Sequence, residues 1–88
     1  MNVEPQNPLP YDRPATYQIS VMGKLDPNWS KRLHGMRITS TPEGSDPVIT
    51  TLEGELIDQA ALAGILNTLY ELHMPILSLK WLNIWPML

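Results

Sequence analysis

Few residues of this chain have the types and the spacing that nucleophilic or acid–base chemistry requires. Ser30 and His34 are four residues apart, a spacing that would place a nucleophile and a base on one face of a helical turn. Such a pair also needs an orienting acid and an oxyanion site, and the sequence supplies neither. We therefore interpret His34 as a solvated loop residue and expect the protein not to be an enzyme.

The carboxylates of the chain have simpler structural uses. Asp26 and Asp58 could form a pair, but Asp26 precedes Pro27 in a turn and Asp58 stands where a helix is expected to begin. Glu53 and Glu55 fall on one face of a predicted strand and are most simply exposed. The five glycines are isolated from one another, so the sequence contains no phosphate-binding loop.

Composition restricts the remaining kinds of site. The 88 residues include no cysteine and two histidines, which excludes disulfides and thiolate metal sites, and two histidines on their own are too few to suggest a zinc site. Net charge is −3 at pH 7, and the six Lys and Arg residues form no basic stripe of the kind that binds nucleic acid. We therefore expect no cofactor, no metal and no nucleic-acid partner. A chain this short buries only about 60% of its unfolded surface, so dimerisation is an obvious source of further burial.

One segment, residues 56–73, has sustained helical periodicity. Its leucines and isoleucine form a stripe that would pack on a sheet, and Asp58 is the expected N-cap. The opposite face carries small residues in place of the usual Lys and Glu pairs, namely Ala60, Ala63, Gly64 and Asn67. Gly64 costs about 1 kcal/mol relative to Ala in a helix interior, which favours close approach of another backbone. We predict an interface for self-association or partner docking on this face; the alternative is a short, low-charge face exposed to water.

Four further segments have the alternation or apolar content of β-strands. They are residues 17–25, 36–41, 47–56 and 76–84, and the helix separates the last two. The order β-β-β-α-β predicts an α+β fold: a single small domain, residues 15–88, with a four-stranded, mostly antiparallel sheet and one helix packed on one face. We predict the strand order 3-2-1-4, with strand four parallel to strands three and one. Strand four is apolar on both faces, which is typical of a central or covered strand.

The two ends of the chain differ in composition. Residues 1–14 hold four prolines among polar residues, which predicts a disordered or extended leader; a docking peptide is the alternative. The last residues are apolar, and Trp85 and Leu88 could pack on their own sheet or on a neighbouring subunit. The sequence shows no signal peptide and no apolar run long enough to span a bilayer, so we expect a cytoplasmic protein without a membrane partner.

Two motifs resemble a family of small uncharacterised bacterial proteins. The pattern Y-x-I-x-V-x-G-x-L-D-x-x-W-S matches residues 17–30, and the pattern D-Q-A-A-L-x-G-[LI]-L matches residues 58–66. An apolar strand over residues 76–79 follows in the same order, so the resemblance covers residues 16–82. The chain departs from the family at Leu33, where an aromatic residue is frequent. The resemblance supports the limits of the domain and implies no activity or cofactor.

These observations leave two classes of function. The first is a non-catalytic interaction or oligomerisation module that self-associates as a homodimer or docks on a larger protein as an accessory or regulatory component. The helix face would be its contact surface, with Trp85 and Leu88 as anchors. The alternative is a small-ligand-binding regulatory or sensor domain, with Asp26, Trp29 and Ser30 as the candidate binding residues.

Overall fold

The computed structural model describes residues 14–84, with the backbone only at residues 83 and 84. Its elements are β1 (Ala15–Met22), a 3₁₀ helix (Pro27–Leu33), β2 (Arg37–Ser40), β3 (Ile49–Leu56), α1 (Gln59–Glu71) and β4 (Ile76–Ile84). The predicted α+β fold is confirmed, with four antiparallel strands and one helix in the order β-β-β-α-β. The expectation for the N-terminal leader, residues 1–14, lies outside the described residues except at Pro14, and the expectations for Trp85 and Leu88 lie outside them entirely.

The strand order is β2-β3-β1-β4, and each neighbouring pair is antiparallel. The predicted order 3-2-1-4 was therefore wrong, because β3 and not β2 lies beside β1. All eight residues of β3 pair with β1, whereas β2 offers only four residues and pairs with the far side of β3. The 3₁₀ helix separates β1 from β2, so no tight turn forces these two strands together. β4 runs parallel to β3, as predicted, but antiparallel to β1, which was predicted to be parallel.

The buried face of the sheet follows from the alternation in β1. Its inward residues are Ala15, Tyr17, Ile19 and Val21, all nearly or fully buried. Leu52 of β3 lies directly opposite Ile19 and is also fully buried. Side chains from the 3₁₀ helix, from the residue before β2 and from β2 itself complete this core, namely Leu33, Met36 and Ile38.

The helix covers this face through its apolar stripe. Asp58 is the N-cap, as predicted, and its side chain accepts a hydrogen bond from the N–H of Ala61 at 2.9 Å. The buried helical residues are Ala61, Leu62, Ile65 and Leu69. The N–H of Met74 donates to the carbonyl of Leu69 at 3.1 Å and closes the helix. His73 lies beyond the end of α1 with φ of 60°, not in the last helical turn as predicted.

The buried hydroxyl of Thr50, near the start of β3, links this strand to the end of β2 and to the segment that follows β1. Thr50 Oγ1 donates to the carbonyl of Gly23 at 2.6 Å and accepts the N–H of Leu25 at 3.3 Å. It also lies 2.8 Å from Ser40 Oγ, which must be the donor because the Thr50 proton is already committed to Gly23. A hydroxyl with no exposed area is tolerated because these partners replace its bonds to water.

Candidate interaction surface

The two edge strands of the sheet differ in length and chemistry. β2 has four residues, of which Arg37, Thr39 and Ser40 are exposed and polar. β4 has nine residues, and Lys80 is its only charged residue. Proteins commonly protect a sheet edge with a short strand, charged side chains or a covering segment, since a free edge can pair with another chain. β2 has the first two protections, whereas β4 is long and mostly apolar.

Five apolar side chains of β4 are more than one third exposed; we call them the β4 strip. They are Ile76 (43%), Leu77 (45%), Leu79 (45%), Trp81 (37%) and Leu82 (46%). The prediction that this strand is central or covered was wrong, because β4 lies at an edge and its side chains remain accessible. Strands with apolar side chains on both faces are usually buried on both sides of the sheet, but the described part of this chain does not bury β4 in this way.

Part of the β4 strip lies on the same face of the sheet as the core, next to buried residues of β1. Leu79 lies opposite Ile19, and Trp81 lies opposite Tyr17. Directly opposed side chains share a face of the sheet, so Leu79 and Trp81 lie on the face that α1 packs against. Ile19 and Tyr17 are 0% and 5% exposed, whereas their β4 partners are 45% and 37% exposed. The helix makes its main strand contacts with β3, on the other side of β1 from β4.

Two irregularities in the pairing of β1 with β4 extend the strip. The register shifts between Ser20 and Val21, so Leu77 has no partner residue in β1. It shifts again between Thr16 and Tyr17, so Leu82 has none either. Between these shifts, residues 78–81 pair regularly with β1. Such bulges increase local twist and redirect side chains. The middle of β4 is therefore its regular part, bracketed by two exposed leucines.

A small cavity lies next to the β4 strip, at the residues that precede β4. Its volume is about 290 Å³, and it is lined by Tyr70, His73, Met74 and Pro75. Pro75 immediately precedes Ile76, and its carbonyl accepts the N–H of Met22 at 2.9 Å. Tyr70 is 76% exposed, so the apolar surface continues from β4 toward the end of α1.

The predicted helix face points away from the core. Ala60, Ala63, Gly64 and Asn67 are all exposed. A Cβ built on Gly64 would meet no atom within 4 Å, so the described part of the chain does not approach this glycine closely. The structure thus places the four residues on one open face without showing what contacts it.

The candidate ligand residues are already used in local hydrogen bonds. Asp26 Oδ1 accepts the N–H of Asn28 at 2.8 Å and caps the 3₁₀ helix. Ser30 Oγ donates to the carbonyl of Met36 at 2.7 Å, which ties the 3₁₀ helix to β2. These bonds explain both polar side chains without a ligand.

An open cavity nevertheless adjoins this region. Its volume is about 310 Å³, and its lining residues are Asp26, Asn28, Trp29 and Arg32. The Arg32 guanidinium lies 5.3 Å from the centroid of the Trp29 ring, a cation–π distance. Sequence reasoning singled out Asp26 and Trp29 but missed Arg32, whose helical spacing from Trp29 was the available signal.

The phenol of Tyr17 lies at the contact between β1 and α1. Burial raises the pKa of Tyr17, and the hydrogen bond that its hydroxyl accepts from Gln59 Nε2 at 2.8 Å acts in the opposite direction. The phenol is therefore neutral at pH 7 and links β1 to α1. Among residues 14–84, no three His, Asp or Glu side chains are grouped as metal ligands would be.

Comparison with known proteins identifies a family. The model of the family described as Domain of unknown function (DUF8691) matches residues 16–80, and the chain belongs to this family. Searches of curated proteins and of solved structures gave no match. Within residues 14–84, neither α1, of 13 residues, nor the 3₁₀ helix is long and apolar enough to cross a membrane.

Proposed function

We propose that this DUF8691 protein is a non-catalytic interaction and oligomerisation module whose main contact surface is the β4 strip. The observation that carries the proposal is a nine-residue apolar strand at a sheet edge with five exposed large side chains. Taking about 200 Å² for a bulky side chain, exposures of 37–46% leave roughly 400 Å² of apolar area on the strip. Patches of this size on small proteins are often functional.

The apolar area of the strip is large enough to contribute substantially to association. At about 25 cal/mol per Å², burial of roughly 400 Å² contributes on the order of 10 kcal/mol. Loss of translational and rotational freedom costs about 4–15 kcal/mol, so the strip can offset a large part of that cost. Backbone hydrogen bonds along the free edge of β4 would add both affinity and orientation.

The helix face is proposed as a separate contact for a larger partner, and the C-terminal residues are proposed to extend the β4 strip. Ala60, Ala63, Gly64 and Asn67 offer an open stripe of small side chains. Trp85 and Leu88 follow β4 directly in the sequence and would extend its apolar character.

The cellular setting is part of the same proposal. We place the protein in the bacterial cytoplasm, as an accessory or regulatory component. The two sequence motifs would then define the family through its fold, because Tyr17, Ile19 and Val21 are core residues and Asp58 caps α1.

A small-ligand sensor is the second candidate. The cavity beside Trp29 and Arg32 favours it, since a guanidinium over an indole could hold an anionic or aromatic ligand. Titration of Trp29 fluorescence in a variant with Trp81 and Trp85 replaced by Phe tests this directly. Saturable quenching by small metabolites, lost in Arg32→Ala, would favour the sensor; a flat response would remove it.

The interaction proposal is tested with wild-type protein, Leu79→Lys and Thr39→Lys. Thr39 is exposed on β2, so its lysine variant adds the same charge to the opposite edge. Molar mass by light scattering over a wide concentration range detects self-association, and pull-down from the native source detects other partners. We expect wild type and Thr39→Lys to behave alike and Leu79→Lys to lose the association. Equal behaviour of all three proteins would refute the β4 strip as the contact surface.

A further inference from the structure

We infer that the occupant of the β4 strip is a second copy of this chain, paired antiparallel through β4 so that Leu79 of one copy faces Leu79 of the other. This inference rests on the proposed function and specifies its partner. The result would be a continuous eight-stranded sheet with a two-fold axis beside Leu79. Sheet extension of this kind leaves two β2 strands as the outer edges, and these are the short, polar ones.

The orientation follows from the side of the sheet that α1 leaves open. In an antiparallel pairing of two identical edge strands, the two-fold axis is perpendicular to the sheet, so both helices lie on the same side. Leu79 and Trp81 of both copies then meet on that side, between the two helices. A parallel pairing would turn one copy over and set Leu79 and Trp81 of one copy beside the polar Ser78 and Lys80 of the other. The antiparallel arrangement alone brings the uncovered apolar faces together.

The register follows from charge and from the bulges. Side chains on the same face must be opposed, so within residues 78–81 each of the four residues could face its own counterpart on the axis. Opposed serines would set Leu79 against the bulged Leu77 and Lys80 against Ile76. Opposed lysines are unfavourable, because like charges directly across a strand pair repel. Opposed tryptophans would bring Lys80 against the bulged Leu82 and leave little regular pairing. With Leu79 on the axis, Lys80 faces Ser78 of the second copy, and all three residues belong to the regular part of β4.

The available area suits a second copy. The strip supplies roughly 400 Å² per chain, about half of the 800 Å² that each partner buries in a standard interface. The backbone edge of nine residues, about 30 Å long, adds to this area. In the same register Ile76 faces Leu82 of the second copy, so the chain of that copy continues toward the cavity lined by Tyr70, His73, Met74 and Pro75.

Charge also favours the second copy over a strongly charged partner. The strip itself contains no charged side chain, and Lys80 is the only charge on β4. A surface with so little charge selects its partner by apolar contact and backbone pairing, which an identical strand provides in full.

Single-cysteine variants test both the partner and the register, because the natural chain has no cysteine. The variants are Leu79→Cys, Lys80→Cys and, as the control on the other edge, Thr39→Cys. Opposed residues of an antiparallel pair have Cα atoms about 4.5–5.5 Å apart, within the range that a disulfide requires. Each Lys80 would lie one residue from the axis, in opposite directions, so the two Cα atoms would be offset by two residues in total and lie beyond about 7 Å, outside that range.

We expect Leu79→Cys to form covalent dimers in a thiol redox buffer at least about tenfold faster than the other two variants. Fastest crosslinking of Lys80→Cys would overturn the register, and equally slow crosslinking of all three would overturn the second copy as the partner. Circular dichroism of each reduced variant verifies that it is folded. If no variant crosslinks rapidly while pull-down still depends on Leu79, the interaction function stands and this inference fails. Loss of both signals would remove the proposed function as well.

Discussion

The two neighbours of β1 carry the same residue type in the same row of the sheet, yet only one of them is buried. Ile19 lies between Leu52 of β3 and Leu79 of β4. Leu52 is fully buried, whereas Leu79 is 45% exposed. The difference comes from the elements above the sheet, since the main strand contacts of α1 are with β3, on the other side of β1 from β4. An apolar residue in a strand is thus buried only if another element covers it. Leu52 of β3 therefore belongs to the core, whereas Leu79 of β4 remains available for contact with another molecule.

The largest difference is expected in stability. Leu52→Ala should lower the free energy of unfolding by about 2–5 kcal/mol, because it leaves a cavity in a filled core. Leu79→Ala should cost about 1 kcal/mol or less at low protein concentration, since its side chain is already half in water. Urea unfolding of both variants at a few micromolar measures this. Similar costs for the two leucines would mean that β4 is as well covered as β3.

A second effect on the free energy of unfolding is expected when the buried hydroxyl of Thr50 in β3 is removed. Thr50→Val should cost about 1–3 kcal/mol, because the Gly23 carbonyl and the Leu25 N–H lose their partner in a buried site. Thr39→Val on the exposed side of β2 is the matched control and should change stability by no more than about 0.5 kcal/mol. Thermal unfolding provides the comparison. A Thr50→Val variant as stable as wild type would show that the network is not needed.

How much of this could be predicted depends on how local the determinants are. The alternation of β1 and the N-cap at Asp58 are set by neighbouring residues, and both are confirmed. The strand order is set by pairing between distant segments, so β3 could take the place beside β1 that the sequence suggested for β2. The exposure of Leu79 depends on the position of α1 over the sheet, which the apolar pattern of β4 does not determine. The cavity beside Arg32 likewise depends on the 3₁₀ helix and its ring contact.

A third effect is expected in association. Trp81→Ala should weaken self-association at least about tenfold, or about 1.4 kcal/mol, because buried aromatic residues commonly dominate interfaces. Ile57 is 67% exposed but lies outside β4, so Ile57→Ala should leave association unchanged. Sedimentation equilibrium of both variants measures the dissociation constants. Equal weakening would indicate that any exposed apolar side chain contributes and that β4 has no special place.

The smallest effect separates the helix face from the β4 strip. Gly64→Ala should stabilise the fold by about 0.5–1 kcal/mol, since open space surrounds the added Cβ and alanine favours the helix. Gly64→Leu should leave the molar mass unchanged if β4 is the contact surface. A loss of association in Gly64→Leu, with the fold intact, would instead assign the interface to Ala60, Ala63, Gly64 and Asn67.

Hydrogen exchange of the two edge strands, measured from dilute to concentrated protein, compares them within one molecule. Pairing through β4 requires its outward N–H groups to exchange at least about tenfold more slowly at high concentration, while those of β2 keep the same rate. Rates in β4 that do not change with concentration, or slowing in β2 instead, would contradict the assignment of the β4 edge as the contact surface of this protein.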